Sequence, residues 1–269
     1  MPISGTISKV VILARGLGTR MRREDTNAAL NWEQSEAAAA GVKAMIPVGR
    51  PFLDYVLSGL ADAGLTQVCL VIGPEHDAIQ DYYARVQPVR LQVSFAVQPE
   101  ALGTANALLP AETFVGGDEF LTINADNYYP VDALLAIQKL GQAGAVLFPA
   151  DTLANNSNIT RERIRDFACG TVANSGFLTH IVEKPRAESD GECLVSMNCW
   201  RFSRAIFSLC RDVPLSARGE FELPMAVNLG IASGLRIKVA VSQGGVLDLS
   251  RRSDIAAVAS RLKDVKVNL

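Results

Sequence analysis

Short apolar runs alternate with segments of helical periodicity along the first part of the chain. Apolar runs bounded by glycine or polar residues are typical of buried strands, and apolar positions three or four residues apart are typical of helices. The pattern predicts strands from residue 10 and over 67–72, 91–97, 121–124 and 145–148, and helices over 52–63, 75–85 and 131–140. Strands that alternate with helices indicate βαβ units, so we predict an α/β fold with a doubly wound, mainly parallel sheet.

The pattern changes after Asp151. Residues 171–172 and 178–182 flank Asn174-Ser175-Gly176, a combination that predicts an antiparallel hairpin. Residues 155–158 are predicted as a polar loop, 193–202 and 236–241 as strands, and 254–262 as a last helix capped by Ser253. We therefore expect a small antiparallel subregion beside the main sheet, within a single domain over 1–269.

Composition and charge narrow the functional classes. The chain has 269 residues, 49% of them hydrophobic, and a formal net charge of −2, which offers no basic surface for nucleic acid. No apolar run reaches the length of a membrane span and the first residues lack the layout of a signal peptide, so we expect a cytoplasmic protein without a membrane partner. The five cysteines lack Cys-x-x-Cys spacing, which argues against structural zinc and against a disulfide framework.

The two histidines are predicted to be loop or surface residues rather than ligands. His76 follows Gly73-Pro74-Glu75, and His180 lies beside a predicted strand. Any chemistry of this chain is therefore expected not to depend on a histidine base.

The first predicted strand runs into a loop that contains Gly16, Gly18 and Arg20. Glycine permits close approaches that a Cβ would block, and such a loop can turn N–H groups toward an anion, while Arg20 adds donors suited to phosphate oxygens. A dinucleotide-binding fingerprint is excluded because Met21 stands where a small residue is needed, and a P-loop is excluded because Gly-Lys-Ser/Thr is absent. A tight strand-to-helix turn without a ligand explains the loop alone equally well.

Further polar residues stand at other predicted strand ends, where parallel sheets bind their ligands. Gln98 could pair with a base edge, and Gly103 could let the backbone approach a flat ring. Asp126 could hold Mg²⁺ together with phosphate oxygens, and Asp248 is a second candidate carboxylate. Taken alone, Asp126 fits a helix N-cap better than a metal ligand.

Residues 21–41 are rich in charge and alanine and contain few large apolar groups. Two interpretations of this segment stay open. It is either a partly helical flap over the glycine loop, mobile when the loop is empty, or a solvated insertion without function. Lys43 follows this segment, and taken alone it would be an ordinary surface lysine.

Together these motifs resemble those of the sugar-phosphate nucleotidyltransferases, which include the glucose-1-phosphate thymidylyl- and uridylyltransferases. The matching segments are 13–20, 43–51, Gln98 with 102–105, Asp126-Asn127, Asp166 with 170–172, Glu183-Lys184-Pro185, Asn198, Gly219-Glu220 and Asp248. Each motif is weak alone, but their common order over nearly the whole chain is specific. The resemblance implies a Rossmann-like nucleotidyltransferase fold with a mainly nucleotide-binding half over 1–150 and a mainly sugar-phosphate-binding half over 151–269.

The resemblance also implies roles for individual residues. The catalytic cations would be Arg20, Lys43 and Lys184, and Mg²⁺ would be bound by Asp126 and Asp248. The nucleotide would be bound by Leu13, Ala14, Gly16, Gly18, Thr19, Gln98, Gly103 and Thr104. The sugar phosphate would be bound by Asn127, Gly170, Glu183 and Asn198. The implied reaction is attack of a sugar 1-phosphate on the α-phosphate of a nucleoside triphosphate, which gives a nucleoside-diphosphate sugar and pyrophosphate. The acceptor is already an oxyanion, so this reaction needs no general base.

The chain departs from the family pattern at several positions. Arg15 stands where the family has a small residue, Val42 rather than proline precedes Lys43, and Asn124-Ala125 replace a glycine before the aspartate. Gln98 with Gly103 suits a pyrimidine, so UTP or dTTP and a hexose 1-phosphate are the expected substrates. Phosphocholine or a cyclitol phosphate as acceptor, and a non-catalytic nucleotide-sugar-binding regulatory module, stay open as alternatives, and the oligomeric state is left open.

Overall fold

A computed structural model of the chain describes residues 7–26, 28–185 and 194–269. The strands are β1 (Lys9–Leu13), β2 (Gln67–Ile72), β3 (Gln92–Val97), β4 (Phe120–Asn124), β5 (Asn127–Tyr128), β6 (Gly144–Pro149), β7 (Ala168–Val172), β8 (Leu178–Val182), β9 (Leu194–Phe202), β10 (Lys238–Val241) and β11 (Leu247–Asp248). The α-helices are α1 (Thr19–Arg22), α2 (Trp32–Ala40), α3 (Phe52–Asp62), α4 (Asp77–Val86), α5 (Thr104–Leu108), α6 (Glu112–Val115), α7 (Val131–Gln138), α8 (Ala150–Asn156), α9 (Ile206–Asp212), α10 (Leu223–Ala232) and α11 (Asp254–Leu262). Short 3₁₀-helices cover Lys43–Met45, Leu109–Ala111 and Arg161–Asp166.

The main sheet has the strand order β10-β6-β9-β4-β1-β2-β3, and the hairpin of β7 and β8 joins it through β9. The pairs β1–β2, β1–β4, β2–β3 and β6–β10 are parallel. Strand β9 runs antiparallel to both of its neighbours, β4 and β6. The predicted mainly parallel sheet is therefore confirmed, and so is the predicted hairpin of β7 and β8.

Side chains of β1 alternate between two hydrophobic layers. Val10 and Ile12 pack in one layer with residues of α3, and Val11 packs in the other with residues of α9. All three side chains are fully buried, because successive residues of a strand point to opposite faces and helices cover both faces of this sheet. This double cover explains why the strands appear in the sequence as continuous apolar runs.

Several element ends differ from the prediction by one to three residues; β7, for example, begins at Ala168 rather than at residue 171. Helix α8 includes Asn155 and Asn156, which were predicted in a polar loop, and it ends at Ser157, whose backbone N–H donates to Leu153 O. Strand β9 begins at Leu194, and the predicted start at Cys193 lies outside the described residues. Ser253 occupies the N-cap position of α11, but its side chain makes no capping bond.

A two-stranded antiparallel sheet of β5 and β11 lies apart from the main sheet. Its register pairs Asp248 with Asn127 and Leu247 with Tyr128. The pairing was not predicted, because two residues per strand are too few to show a periodic pattern. It brings the segment around Asp248 next to the residue that follows Asp126.

Two contacts of the cysteines and histidines were not predicted. Cys169 is disulfide-bonded; the sequence analysis argued only against a disulfide framework, and spacing along the chain does not report which side chains fold together. His180 is exposed as predicted, whereas His76 is buried and accepts the Gly73 N–H at its Nδ1 atom. Its place after a Gly-Pro-Glu turn gave no sign of this inward orientation.

None of the helices in the described part of the chain combines the length and the apolar character that crossing a bilayer requires.

Candidate active site

A cavity of about 310 Å³ lies at the edge of the sheet where β1 and β4 end. Its lining includes most of the predicted nucleotide-binding residues together with two predicted charged groups: Leu13, Ala14, Gly16, Thr19, Gln98, Gly103, Thr104, Lys43 and Asp126. Gly18 is not part of the lining, and neither are Arg20, Lys184, Asp248, Asn127, Gly170, Glu183 and Asn198. The position of the cavity agrees with the rule that parallel sheets bind ligands beyond the carboxyl ends of their strands.

Glycines bring the loop after β1 close to other backbone. A Cβ on Gly18, whose φ is 62°, would come within 2.3 Å of the Gly41 carbonyl oxygen. Gly18 is therefore required for packing against Gly41, which explains why it does not face the cavity. Gly16 lies next to the Lys43 side chain: a Cβ on Gly16 would lie 3.6 Å from Lys43 Cε.

Lys43 and Asp126 form an ion pair inside the cavity. Burial lowers the pKa of Lys43, but the charge and hydrogen bond of Asp126, helped by the charge of Asp248, outweigh it and raise the pKa above its ordinary value. The Lys43 side chain is 20% exposed and that of Asp126 is 17% exposed. A fixed cation therefore faces the cavity directly above the glycine loop.

Asp248 is held by three side chains. Its Oδ2 atom accepts from Arg163 Nη2 at 2.6 Å, and its Oδ1 atom accepts from Ser250 Oγ at 2.8 Å and from Asn127 Nδ2 at 3.1 Å. Burial and the negative charges of Asp126 and Asp254 raise the pKa of Asp248 to about 6, against the opposing effect of Arg163 and Lys43. Asn127, predicted to bind sugar phosphate, thus orients Asp248 in this structure.

The carboxylates of Asp126 and Asp248 fit a magnesium ion only when a ligand completes the donor set. A carboxylate has about four acceptor positions, of which Asp248 uses three. Among the described residues no group of three His, Cys, Asp or Glu side chains is arranged as a metal site. Mg²⁺ commonly takes one or two carboxylates together with phosphate oxygens and water, which is the combination this pair could serve.

The predicted base-binding residues are fixed by a segment from the second half of the chain. Gln98 is almost fully buried, and its Nε2 atom donates to Asn106 Oδ1 at 2.8 Å and to Gly103 O at 3.3 Å. A Cβ on Gly103, whose φ is 104°, would lie 2.6 Å from Phe221 O. Thr104 Oγ1 accepts the N–H of Leu223 at 2.9 Å. The segment from Glu220 to Leu223 therefore packs against Gly103 and Thr104, and Glu220 belongs to the cavity lining.

The predicted acceptor residues lie outside the cavity lining: Asn127 lies on β5, and the other three lie on β7 to β9 or next to these strands. Gly170 is buried, and a Cβ there would come within 2.8 Å of the Leu178 Cδ1 atom, so a larger residue would require the leucine side chains around it to move. Asn198 has a φ of 59°, and its Oδ1 atom accepts from Trp200 Nε1 at 3.3 Å. Lys184 also has a positive φ and is exposed.

Glu183 faces a cation that the sequence prediction missed. Arg218 Nη2 lies 3.5 Å from Glu183 Oε1, and its Nε donates to Glu222 Oε1 at 3.0 Å. Burial and the negative charge of Glu222 raise the pKa of Glu183 above its ordinary value, against the opposing effect of Arg218 and Lys184. Arg218 immediately precedes the Gly219-Glu220 motif, and this position was the signal that could have identified it.

Two more arginines near the candidate site were not predicted. Arg163 joins Asp248 to Asp254, and Arg251 Nη2 donates to Asp166 Oδ2 at 2.7 Å. Asp166, one of the matched motif residues, also lies 3.9 Å from Arg20 Nη1. Arg251 follows Asp248 by three positions, whereas no pattern in the sequence marks Arg163.

Arg15, the departure in the glycine loop, turns its guanidinium group toward the loop after β2. Its Nε and Nη2 atoms donate to Glu75 at 3.3 and 3.4 Å, and its Nη1 atom is buried without a hydrogen-bond partner in the described part of the chain. Burial and the charges of Arg15 and Arg22 lower the pKa of His76, against the effect of Glu75. Arg15 therefore lines the cavity while its guanidinium group is engaged by Glu75.

The segment 21–41 is partly helical, as predicted, through α1 and α2. Asn31 and Gln34 form a capping box at the start of α2. Arg22 Nη2 donates to Ala40 O at 2.9 Å, and Gln34 Nε2 donates to Pro47 O at 3.0 Å. Trp32 is 76% exposed. The helical part is therefore tied to both the glycine loop and the chain after Lys43.

Comparison with known proteins places this geometry in context. A 27% identical relative is the UTP–glucose-1-phosphate uridylyltransferase AglF of Haloferax volcanii, with 95% of this chain and 97% of AglF aligned. The low-salt glycan biosynthesis nucleotidyltransferase Agl11 of the same organism is 26% identical, and the chain spans 64% of its length. A glucose-1-phosphate thymidylyltransferase of Streptomyces antibioticus is 26% identical, with 65% of its length covered.

The fold is shared with solved structures. A UDP-glucose pyrophosphorylase complexed with UDP-glucose superposes with a TM-score of 0.76 at 18% identity, covering 97% of this chain and all of the other. A UDP-glucose pyrophosphorylase from Acinetobacter baumannii gives a TM-score of 0.75 at 20% identity. The profile of the nucleotidyl transferase family matches residues 38–239, which is most of the chain. The chain therefore belongs to the nucleotidyl transferase family.

Proposed function

We propose that this protein transfers a nucleotidyl group from UTP or dTTP to a hexose 1-phosphate, with Mg²⁺, and releases pyrophosphate. The observation that carries the proposal is the Lys43–Asp126 ion pair in the cavity above the glycine loop. The cavity thus combines a fixed cation, a carboxylate and a glycine-containing loop. AglF and the Streptomyces relative, whose names state uridylyl and thymidylyl transfer to glucose 1-phosphate, support the choice of substrates.

The reaction we propose is an in-line displacement at the α-phosphorus. A phosphate oxygen of the acceptor forms the new bond, and the bond to the β-phosphate oxygen breaks, so that the electron pair leaves with pyrophosphate. The second pKa of a phosphate monoester is near 6, so the acceptor is an anion at neutral pH and needs no base. The protein has to align two anions that repel each other and neutralise the charge that develops.

Individual residues divide this task. Lys43 would contact the transferred phosphate and stabilise its transition-state charge. Asp126 and Asp248 would hold Mg²⁺ together with phosphate oxygens, and the ion would supply neutralisation of the triphosphate. Gln98 and Gly103 would bind the base, whereas Glu183, with Lys184 beside it, would bind the sugar phosphate.

A pyrophosphate-release assay tests the proposal. The purified chain is incubated with each of the four common nucleoside triphosphates and with glucose 1-phosphate, galactose 1-phosphate, phosphocholine or inositol phosphate. We expect release only when a sugar 1-phosphate and UTP or dTTP are both present, and loss of release when EDTA removes divalent cations. Turnover with phosphocholine or inositol phosphate alone would reassign the acceptor, and nucleotide binding without turnover under any combination would favour a regulatory module.

A further inference from the structure

The turn after β11 is clamped against the helix that follows the glycine loop. Arg252 Nε donates to Met21 O at 3.0 Å. The N–H groups of Ser250 and Arg251 donate to Asp254 Oδ2 at 2.9 and 2.8 Å. Asp254 is itself buried and paired with Arg163. The backbone of Arg251 therefore has a fixed position between Asp248 and α1.

Arg251 and Arg20 meet at one carboxylate oxygen. Arg251 Nη2 lies 2.7 Å and Arg20 Nη1 3.9 Å from Asp166 Oδ2. The positive charge of Arg20 lowers the pKa of Lys43, although other effects outweigh it and the pKa is raised overall. Two guanidinium groups thus share a single negative charge beside the candidate phosphate loop, which leaves one positive charge in excess.

The contacts of Asp166 are of a kind that a ligand can replace. The side chains of Arg20, Arg251 and Asp166 are 45%, 39% and 34% exposed. Ion pairs with this exposure contribute about 0–1 kcal/mol, because water screens them and the side chains lose freedom. A pyrophosphate group carries several negative charges and offers the planar guanidinium groups paired oxygens, which a carboxylate matches only in part.

We propose that Arg251 is a further substrate-binding residue, which together with Arg20 binds the two terminal phosphates of the nucleotide, and that Asp166 is their replaceable counter-anion in the free enzyme. This inference rests on the proposed nucleotidyl transfer. When the bond between the α-phosphorus and the bridging oxygen breaks, the electron pair moves onto the departing pyrophosphate. Arg251 and Arg20 neutralise that charge, and Asp166 returns to them after pyrophosphate leaves.

Binding of inorganic pyrophosphate, measured by isothermal titration calorimetry, tests the inference without turnover. Arg251→Ala is expected to weaken binding about 10–100-fold, because hydrogen bonds to charged groups are lost. Asp166→Asn is expected to tighten binding up to about fivefold, because the competing anion is removed. Arg85→Ala removes the same charge from the exposed face of α4, where Arg85 Nε donates to Asp81 O, and serves as the control with unchanged affinity.

Opposite signs for Arg251→Ala and Asp166→Asn are the signature of a replaceable counter-anion. Equal weakening by both variants would mean that Asp166 merely supports the structure, and wild-type affinity of Arg251→Ala would remove Arg251 from the site. Arg251→Lys keeps the charge without the planar donors and is expected to bind with intermediate affinity. It decides the question if Arg251→Ala fails to fold, since affinity equal to wild type would then contradict the proposal.

Steady-state kinetics separates this inference from the proposed function. If the wild-type chain makes no nucleotide sugar, the proposed function fails, while pyrophosphate binding still reports on Arg251. If the wild type turns over, Arg251→Ala is expected to raise the KM for the nucleotide and for pyrophosphate in the reverse reaction. A rise in the KM for the sugar 1-phosphate alone would overturn the assignment of Arg251 and leave the proposed function intact.

Discussion

The cavity that we propose for the nucleotide and the region around Glu183 that we propose for the acceptor are built in different ways. The cavity lies at the strand ends, and its lining contains the Lys43–Asp126 ion pair. Around Glu183, in contrast, Arg218 is shared among three carboxylates, those of Glu183, Glu220 and Glu222. The first region offers space to a ligand, whereas the second has its charges paired internally. On this proposal, an acceptor that enters the second region has to exchange the ion pairs of Arg218 for its own.

The largest effect is expected from breaking the ion pair in the cavity. Lys43→Ala should lower kcat about 10²–10³-fold, the usual cost of losing one group that stabilises transition-state charge. Thermal unfolding should change much less, because Lys43 is in contact with the cavity rather than the core. Lys139→Ala, on an exposed position after α7, is the control. A loss of folding that parallels the loss of activity would assign Lys43 a structural role.

The next largest effect is expected from a side chain at Gly103, where the cavity packs against Phe221. Gly103→Ala places a Cβ 2.6 Å from Phe221 O at a φ of 104°, so the backbone of both segments has to shift. We expect a stability loss of about 1–3 kcal/mol in urea unfolding and a raised KM for the nucleotide. Gly64→Ala, with a φ of 80° and no atom within 4 Å, separates the cost of the backbone conformation from that of the collision. Equal losses in both variants would show that the contact with Phe221 is unimportant.

Replacing Arg218, the cation shared by the three glutamates, tests the proposed acceptor region. Arg218→Ala should raise the KM for the sugar 1-phosphate about tenfold, while the KM for the nucleotide stays within about twofold, because Arg218 neutralises the charges beside Glu183. Initial rates with each substrate varied in turn provide the test. An increase confined to the nucleotide KM would assign Arg218 to the nucleotide cavity instead.

The smallest effect is expected outside both regions. Trp32→Ala in α2 removes a side chain that is 76% exposed. Its free energy of unfolding should change by less than about 0.5 kcal/mol, as is usual for surface substitutions. Urea unfolding followed by circular dichroism is the measurement, and a loss above about 2 kcal/mol would mean that α2 packs more tightly in solution.

The main sheet could be predicted because its strands are long and apolar enough to show a pattern. The strand predicted over 67–72 matches β2 at both ends, and the hairpin strand over 178–182 matches β8. The pairing of β5 with β11 escaped prediction because it involves two residues on each strand. Yet this pairing brings Asp248 beside Asn127, so the local pattern is weakest where the candidate metal site is assembled.

The partners of long side chains could not be predicted from the sequence either. Asp126 and Asp248 could be proposed from their place in a known order of motifs, but Arg163, which bonds Asp248, lies in a short 3₁₀-helix with other charged residues. Which of several arginines reaches inward depends on the packing of distant segments. The burial of His76 and the disulfide of Cys169 have the same origin. Local propensity carries no information about contacts of this kind.

Gly18 and Gly41 pack backbone to backbone, and a Cβ on Gly41 would also come within 2.3 Å of Arg22 Nε. The intervening chain therefore leaves the glycine loop and returns to it at a single joint. Because that joint holds both ends of the intervening segment, the position of the loop depends on a backbone contact with a residue far along the chain. A side chain at either glycine would therefore displace the loop that borders the cavity, although neither glycine lines it.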